Sequence, residues 1–346
     1  MSTALVFSGG GVRTNYALGC IQQLKKQDSP LFVKTKELSG ISAGAIVAAS
    51  VATGCDLDNC YDVMATSDIV DSAGTCGYMS RAVAMYTGYR NSMYSNKNLL
   101  HTITNQLHHN PTSRKLNVFA ADATDNGLSQ IEFTTPHSEY VDVRHILASC
   151  AIPGVFPPVD INNVQYVDGG VQHVFPHAKI RQHMQDTSLA QICLFASGPW
   201  HKNIPPHTEA HHAYSLSGLL SQLAACMSDN VRVSENREIA NILSIPDIPD
   251  GRSVIRYKRN TDNSLSHLQT LQVGNIPLHN KSDLDVYLFA PTVDEFKDGY
   301  KVTLQTPVYK RKQYTDAMYA AGKMAAQEFT MLFNSIHGKR QRLNFV

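Results

Sequence analysis

The amino-acid sequence predicts one α/β domain with a mostly parallel central sheet and helices on both faces. Three observations support this prediction. Residues 4–7 form a short apolar run that ends at glycines, as buried parallel strands do. Residues 16–24 then carry apolar side chains at helical spacing. The order of strand, glycine turn and helix recurs at residues 38–52, and further apolar runs alternate with helical patterns downstream.

The remaining elements follow in order along the chain. Residues 56–110 have a mostly helical pattern, and later strands are predicted at residues 116–121, 131–134, 165–167, 191–196 and 286–290. Later helices are predicted at residues 143–151, 216–243 and 314–336. A proline- and histidine-rich loop and a polar, turn-rich excursion are predicted at residues 199–213 and 245–281. We therefore expect a single domain over residues 1–336, followed by a basic tail at residues 337–346.

Composition narrows the possible functions. The chain has 346 residues, of which 43% are hydrophobic and only 17% are charged, and this balance favours a large buried core. A formal net charge of +1 gives no whole-chain attraction to nucleic acid, so no nucleic-acid partner is expected. Because neither a secretory signal nor an apolar stretch of about 18 residues is visible, we expect a cytoplasmic protein that meets membranes only peripherally.

Ser42 is the candidate nucleophile. It lies in the pentapeptide Gly40-Ile41-Ser42-Ala43-Gly44, between a predicted strand and a predicted helix. A nucleophilic serine must project from a sharp turn, and glycines two residues to either side let the chain turn without Cβ clashes. The helix that follows would place its free N–H groups near the reacting oxygen. For a pattern this short, an ordinary serine in a tight turn is the alternative.

Gly9, Gly10 and Gly11 form a second turn one strand earlier, and Arg13 follows them. Three successive glycines expose backbone N–H groups that can bind a developing oxyanion or a phosphate. A dinucleotide-binding fingerprint is the competing interpretation, but Thr14 stands where its third glycine or alanine belongs. A glycine turn that serves only close packing is the other alternative.

Asp168 is the candidate base. It ends a predicted strand and precedes Gly169 and Gly170, which would place a carboxylate at the end of a buried strand beside a flexible turn. An aspartate that only orders its own turn is the plainer alternative when the motif is taken alone.

The three motifs together resemble the patatin-like phospholipase family. They occur in the order GGGxR, GxSxG and DGG, each at a predicted strand end. The resemblance covers roughly residues 4–196 and includes residues 121–124, 148–158 and 166–170. Two positions depart from the family pattern. Thr14 follows the glycine turn where a small residue is usual, and Val174 replaces the asparagine that usually follows the DGG motif.

The resemblance implies a three-layer fold and a Ser-Asp dyad that needs neither a metal nor an organic cofactor. Ser42 would attack an ester carbonyl, and Asp168 would take its proton and return it to the leaving alcohol. Backbone N–H groups of Gly9 to Gly11 would hold the oxyanion, with Arg13 steadying the loop. The expected substrates are phospholipids or lysophospholipids at a membrane surface. Small soluble esters or thioesters, and a non-catalytic lipid-binding role, are the alternatives.

Other patterns suggest further sites. His173 and His177 follow Asp168, so a Ser-His-Asp triad is conceivable. A metal site in a loop is conceivable too, although a solvated loop is the plainer interpretation of His207, Glu209, His211 and His212. The Met- and Tyr-rich residues 78–94 could line an acyl pocket or form ordinary core. A protein activator is conceivable, but no residue pattern identifies one.

Overall fold

The computed structural model of the protein describes residues 2–66, 80–81, 83–85, 87, 92–107, 110–124, 128–200, 234–249, 251–272, 282–296 and 308–343. The strands are β1 (Ser2–Phe7), β2 (Thr35–Ile41), β3 (Lys115–Asp122), β4 (Ser129–Thr135), β5 (Val159–Ile161), β6 (Val164–Asp168), β7 (Leu189–Phe195), β8 (Ser253–Arg259), β9 (Leu265–Gln272) and β10 (Leu284–Phe289). The helices are α1 (Asn15–Lys26), α2 (Pro30–Val33), α3 (Ala43–Thr53), α4 (Leu57–Thr66), α5 (Lys97–Leu107), α6 (Val143–Ser149), α7 (His177–Gln185) and α8 (Val308–Leu343), and residues 234–242 are also helical.

Hydrogen bonds connect these strands into one sheet along the path β5-β6-β3-β2-β1-β7-β10-β8-β9. β4 pairs with one edge of β3, and β2 and β6 pair with successive stretches of its other edge. The five central strands, from β3 to β10, run parallel to one another. The strands towards both ends of the sheet pair antiparallel. The predicted α/β class with a largely parallel centre is therefore confirmed, and such a centre must be covered on both faces.

Alternate side chains of the central strands enter two separate cores. Leu5 and Phe7 of β1 pack with residues of α1, α3 and α8 on one face of the sheet. Val6, which lies between them, packs on the other face with residues of α7 and of the helical segment 234–242. Because successive side chains of a strand point to opposite faces, β1 supplies both cores at once. This arrangement gives the three layers, helices on either side of the sheet, that the sequence predicts.

Helices α1 and α8 cross in close contact at two glycines. A Cβ atom on Gly19 would lie 2.2 Å from the carbonyl oxygen of Tyr319, and one on Gly322 would lie 2.1 Å from the carbonyl oxygen of Tyr16. No side chain fits in that space, so each helix offers a glycine to the backbone of the other. The contact attaches the last described helix of the chain to the first strand-turn-helix unit.

The predicted excursion at residues 245–281 is wrong. This part of the chain contains the hairpin of β8 and β9, which joins the sheet because β8 pairs antiparallel with β10. Val254, Ile255 and Tyr257 of β8 are buried. β9 lies at the edge of the sheet and is mostly polar and exposed, and such an edge strand lacks the apolar pattern by which strands are identified.

Some predictions lie wholly or partly outside the described residues. The predicted loop and its histidines fall there, as does most of the predicted helix at residues 216–243, of which residues 234–242 are described as helical. Helix α8 continues to Leu343, so helical structure extends into the predicted basic tail. None of the described helices combines the length and the apolar character that crossing a bilayer requires.

The glycine contact gives a test of the packing. We expect Gly322→Ala to lower the free energy of unfolding by about 1–3 kcal/mol, because the added methyl group must push α8 away from α1. Urea unfolding followed by circular dichroism measures this change. Ala320→Ser, at an exposed position on the same helix, is the control and should change the stability little. Equal stability of Gly322→Ala and the wild type would contradict the close contact.

Candidate active site

Strands β2 and β6 meet end to end along one edge of β3. β2 runs parallel to β3 and pairs with it as far as Ile41, opposite Phe119. β6 runs antiparallel to β3 and ends at Asp168, opposite Ala120. Since β4 occupies the other edge of β3 over this stretch, β2 and β6 share the first edge. The last residues of both strands therefore face each other, which brings Ser42 beside Asp168.

The two candidate dyad residues are in direct contact. The Oγ atom of Ser42 donates a hydrogen bond of 2.6 Å to Oδ2 of Asp168. The other carboxylate oxygen, Oδ1, accepts a hydrogen bond of 2.7 Å from the backbone N–H of Gly170. A Cβ atom on Gly169 would lie 2.8 Å from the carbonyl oxygen of Phe119, so the base turn needs glycine there. The carboxylate is thus fixed between the serine hydroxyl and its own turn.

The backbone of Ser42 is strained, as a sharp strand-to-helix turn demands. Its φ and ψ angles are 54° and −129°, a combination that non-glycine residues rarely adopt. A Cβ atom on Gly40 would lie 2.3 Å from the carbonyl oxygen of Gly44, and one on Gly44 would lie 2.5 Å from the carbonyl oxygen of Ser8. Close backbone contacts therefore require both glycines of the pentapeptide. The sequence pattern predicted them for the same reason, because a Cβ atom would clash in the turn.

The end of α6 supports both candidate dyad residues, and the sequence did not identify this role. The backbone N–H of Ser42 donates to Oγ of Ser149 at 2.8 Å, and that hydroxyl donates to the carbonyl oxygen of Phe119 at 2.6 Å. The backbone N–H of Asp168 donates to the carbonyl oxygen of Ala151 at 2.9 Å. Ser149 lies within the segment 148–158 that carries the family resemblance, but a single serine there gives no signal of its own.

The peptide groups of Gly9 are held on both sides, next to Ser42. Its N–H donates to the carbonyl oxygen of Val174 at 2.8 Å, and its carbonyl oxygen accepts from Oγ of Ser197 at 2.5 Å. A Cβ atom on Gly9 would lie 3.4 Å from the Cβ of Ser42. Because the N–H of Gly9 is already bonded, this residue cannot donate to an oxyanion as predicted, and it positions the turn instead.

Gly10 and Gly11 differ from Gly9 in their hydrogen bonding. Within the described part of the chain, their backbone N–H groups have no hydrogen-bond partner. A Cβ atom on Gly10 would lie 2.1 Å from Oγ of Ser197, and Gly11 has a positive φ of 56°. Arg13 is half-buried. Its backbone N–H donates to the carbonyl oxygen of Gly10 at 3.2 Å, and this hydrogen bond closes the turn.

The order and geometry of these motifs agree with a comparison to known families. Residues 5–178 match the family model described as patatin-like phospholipase, which is half of the chain. The chain belongs to the patatin-like phospholipase family.

Two curated proteins resemble this patatin-like chain at low identity. A probable lipid hydrolase, 463L of Invertebrate iridescent virus 6, is 26% identical over 217 residues, covering 56% of this chain and 70% of the viral protein. An omega-hydroxyceramide transacylase of Homo sapiens is 24% identical over 178 residues, covering 51% of this chain and 32% of the human protein. The chain thus spans about a third of the human relative.

Two solved bacterial structures are also similar. VipD from Legionella pneumophila has a TM-score of 0.39 and 14% identity, and the match covers 94% of this chain and 66% of VipD. ExoU from Pseudomonas aeruginosa, solved in complex with SpcU, has a TM-score of 0.30 and 15% identity, and the match covers 70% of this chain and 52% of that one.

Both departures from the patatin-like pattern fit into this site. Val174 replaces the usual asparagine, but it holds Gly9 through its backbone carbonyl, which every residue type offers. Thr14 is fully buried at the end of the short 3-10 turn that follows Gly10 and leads into α1. Neither departure touches the hydrogen bond between Ser42 and Asp168.

The two histidines that follow the DGG motif do not approach Ser42. His173 and His177 lie against Glu235 instead, with nitrogen-to-oxygen distances of 3.4 Å and 2.8 Å. Ser42 donates to Asp168 directly. Among the described residues, the patatin-like site therefore offers a carboxylate and no imidazole as the partner of the serine.

Burial raises the pKa of Asp168 from 3.8 to about 6. The hydrogen bonds from Ser42 and Gly170 act in the opposite direction, since they favour the ionised carboxylate, but desolvation outweighs them. Because the side chain is fully buried, ionisation of this carboxylate lowers the stability of the folded protein by about 3 kcal/mol. A group of this kind titrates close to neutral pH, where a proton acceptor is useful.

The raised pKa predicts how a substitution changes stability. Because folding raises this pKa, the wild type loses stability as the pH rises from about 4 to above 6. Asp168→Asn cannot ionise and can still accept the N–H of Gly170. We therefore expect the free energy of unfolding of Asp168→Asn to exceed that of the wild type by up to about 3 kcal/mol at pH 8, with no such gain at pH 4.

Urea unfolding at the two pH values measures this difference. Asp160→Asn, which changes an exposed aspartate of β5, is the matched control and should show no pH-dependent gain. A variant at position 168 that is equally destabilised at both pH values would contradict the raised pKa.

Proposed function

We propose that this protein is a serine acyl hydrolase that cleaves fatty acyl esters of phospholipids or lysophospholipids through a Ser42–Asp168 dyad. The observation that carries the proposal is the 2.6 Å hydrogen bond from Ser42 Oγ to a buried carboxylate whose pKa is raised to about 6. Membership of the patatin-like phospholipase family supports lipid as the substrate class. The name of the viral relative, a probable lipid hydrolase, points the same way.

In the first step, Oγ of Ser42 attacks the carbonyl carbon of the ester while its proton passes to Oδ2 of Asp168. The carbonyl electrons move onto oxygen, and the N–H groups of Gly10 and Gly11 stabilise the resulting oxyanion. Asp168 then returns the proton to the leaving alcohol as the C–O bond breaks. The products of this half-reaction are the free alcohol and an acyl group on Ser42.

In the second step, a water molecule attacks the acyl-enzyme and gives one proton to Asp168. The new tetrahedral intermediate collapses, Ser42 recovers the proton, and the fatty acid leaves. A transacylase would use the same acyl-enzyme with another hydroxyl as acceptor, so the human relative's name is compatible with this chemistry. Free fatty acid as the product distinguishes hydrolysis from transfer.

The surroundings of Ser42 supply the rest of the proposed catalysis. The serine precedes α3, so the positive end of the helix dipole lies near the reacting oxygen. Every residue of α3 is buried, which holds this helix end rigidly in place. Gly9, fixed by Val174 and Ser197, sets where the N–H groups of the next two glycines point. The donors are therefore in place before the substrate arrives, as electrostatic stabilisation requires.

Variants of the dyad test the proposal. We expect wild-type protein to release fatty acid from phospholipid or lysophospholipid vesicles and micelles, and we expect Ser42→Ala and Asp168→Asn each to lower kcat by roughly 10⁴-fold or more. Labelling by a fluorophosphonate reports the nucleophile independently and should be lost in Ser42→Ala. Ser39→Ala, a buried serine of β2 away from the turn, serves as the matched control.

Other results would redirect the proposal. Full activity of Asp168→Asn would exclude the dyad, because no other carboxylate holds the hydroxyl in the described site. Cleavage of p-nitrophenyl butyrate without cleavage of any lipid would favour small soluble esters. Folded wild-type protein that is neither active nor labelled would favour a lipid-binding role.

The pH dependence of the rate is a separate prediction. Since only the ionised form of Asp168 can accept the proton, kcat/KM should rise tenfold per pH unit below about pH 6 and level off above it. A p-nitrophenyl ester is the suitable substrate, because its leaving group needs no proton and the profile then reports the base alone. A rate that is still level at pH 5 would show that the pKa of the base is not raised.

A further inference from the structure

A second cluster of polar side chains lies beside the candidate active site. His173 and His177 flank the segment that follows the DGG motif, and Glu235 comes from the helical segment 234–242. Their potential ligand atoms all lie within 4.8 Å of one another. Glu235 is only 3% exposed and His177 only 5%, whereas the side chain of His173 is 39% exposed. The cluster is thus built into the protein but open to solvent on one side.

The contacts within this cluster are short but are not ordinary hydrogen bonds. Nε2 of His177 lies 2.8 Å from Oε1 of Glu235, yet it has no hydrogen-bond partner of acceptable geometry in the described part of the chain. Nδ1 of His173 lies 3.4 Å from Oε2 of the same carboxylate. A buried nitrogen without a partner is costly, which calls for a ligand that the nitrogen can bind.

We propose that His173, His177 and Glu235 form a binding site for a divalent transition-metal ion of the zinc class. Two imidazoles and one carboxylate are a ligand set that zinc commonly takes. Ligands about 2 Å from a tetrahedral ion lie roughly 3.3 Å apart, so the three groups reach one ion after small rotations. Solvent reaches the cluster past His173 and supplies both an entry path and the fourth ligand.

The charge balance and the supporting contacts agree with this assignment. The carboxylate of Glu235 is buried and would be neutralised by the cation. Oε1 of Glu235 also accepts the backbone N–H of Phe175 at 2.8 Å, which orients the carboxylate from outside the coordination sphere. The two histidine rings lie 4.1 Å apart, so each limits the rotation of the other.

The ion would stabilise the segment that supports the glycine turn. Val174 and Phe175 lie between the two histidines, and the carbonyl oxygen of Val174 accepts the N–H of Gly9. An ion that joins His173 and His177 to Glu235 would therefore fix the position of that carbonyl. The binding site itself does not depend on the proposed hydrolase activity, and it can be tested in a protein that lacks Ser42.

Cobalt provides a direct test, because tetrahedral Co²⁺ absorbs visible light and Zn²⁺ displaces it. Protein freed of metal by a chelator should bind about one equivalent of Co²⁺, with loss of the colour when Zn²⁺ is added. Saturating Zn²⁺ should raise the Tm by about 5 °C. Ser42→Ala protein should bind equally well, which separates this proposal from the proposed function.

Variants identify the ligands. His173→Ala, His177→Ala and Glu235→Gln should each weaken metal binding by at least about tenfold, and Glu235→Gln should still accept the N–H of Phe175. His137→Ala, an exposed histidine elsewhere, is the matched control. If His177→Ala fails to fold, the half-exposed His173 carries the test. Binding that survives in His173→Ala and Glu235→Gln, or that is lost in a His211→Ala/His212→Ala double variant, would overturn the assignment.

Discussion

The end-to-end meeting of β2 and β6 on one edge of β3 is the constraint on which the candidate active site depends. Ser42 and Asp168 are 126 positions apart in the chain, but they share a hydrogen bond because β2 and β6 end next to each other on the same edge of β3. A parallel strand alone could place Ser42 at the end of the sheet. The short antiparallel strand β6 arrives from the opposite direction along the same edge of β3 and ends at Asp168, which brings the carboxylate against the serine.

This arrangement is locally unfavourable, and the residues around it stabilise it. A strained serine and a desolvated carboxylate each oppose folding, so the neighbouring residues must pack closely and hold both groups by hydrogen bonds. Glycines at positions 40, 44 and 169 allow backbones to touch, and the hydroxyls of Ser149 and Ser197 bond the two turns. The large cores on both faces of the sheet supply the stability against which this local strain is held.

The sequence identifies the candidate site residues, but it does not identify most of the strands and side chains that hold them in place. Glycine patterns at strand ends report close backbone contacts, so Ser42, Asp168 and the glycine turns were identifiable. The direction of β6 was not, because five residues carry no signal of what they pair with. The hairpin of β8 and β9 was missed since its edge strand is polar, and Ser149 and Ser197 are single hydroxyls without a pattern. The hydrogen bond from the N–H of Gly9 to Val174 was not predictable either, because it joins residues far apart in the chain and no local motif encodes it.

The segment from Asp168 to His177 connects these features physically. It begins with the candidate base, contributes the carbonyl that holds Gly9, and ends with two histidines against a buried carboxylate. Because Val174 acts through its backbone, the loss of the usual asparagine side chain leaves the turn supported as long as the chain path is kept. That path is fixed at its far end by the contacts of Phe175 and His177 with Glu235. The position of the glycine turn beside Ser42 is therefore linked to a cluster outside the family motifs, because Glu235 holds the segment whose Val174 carbonyl oxygen accepts the N–H of Gly9.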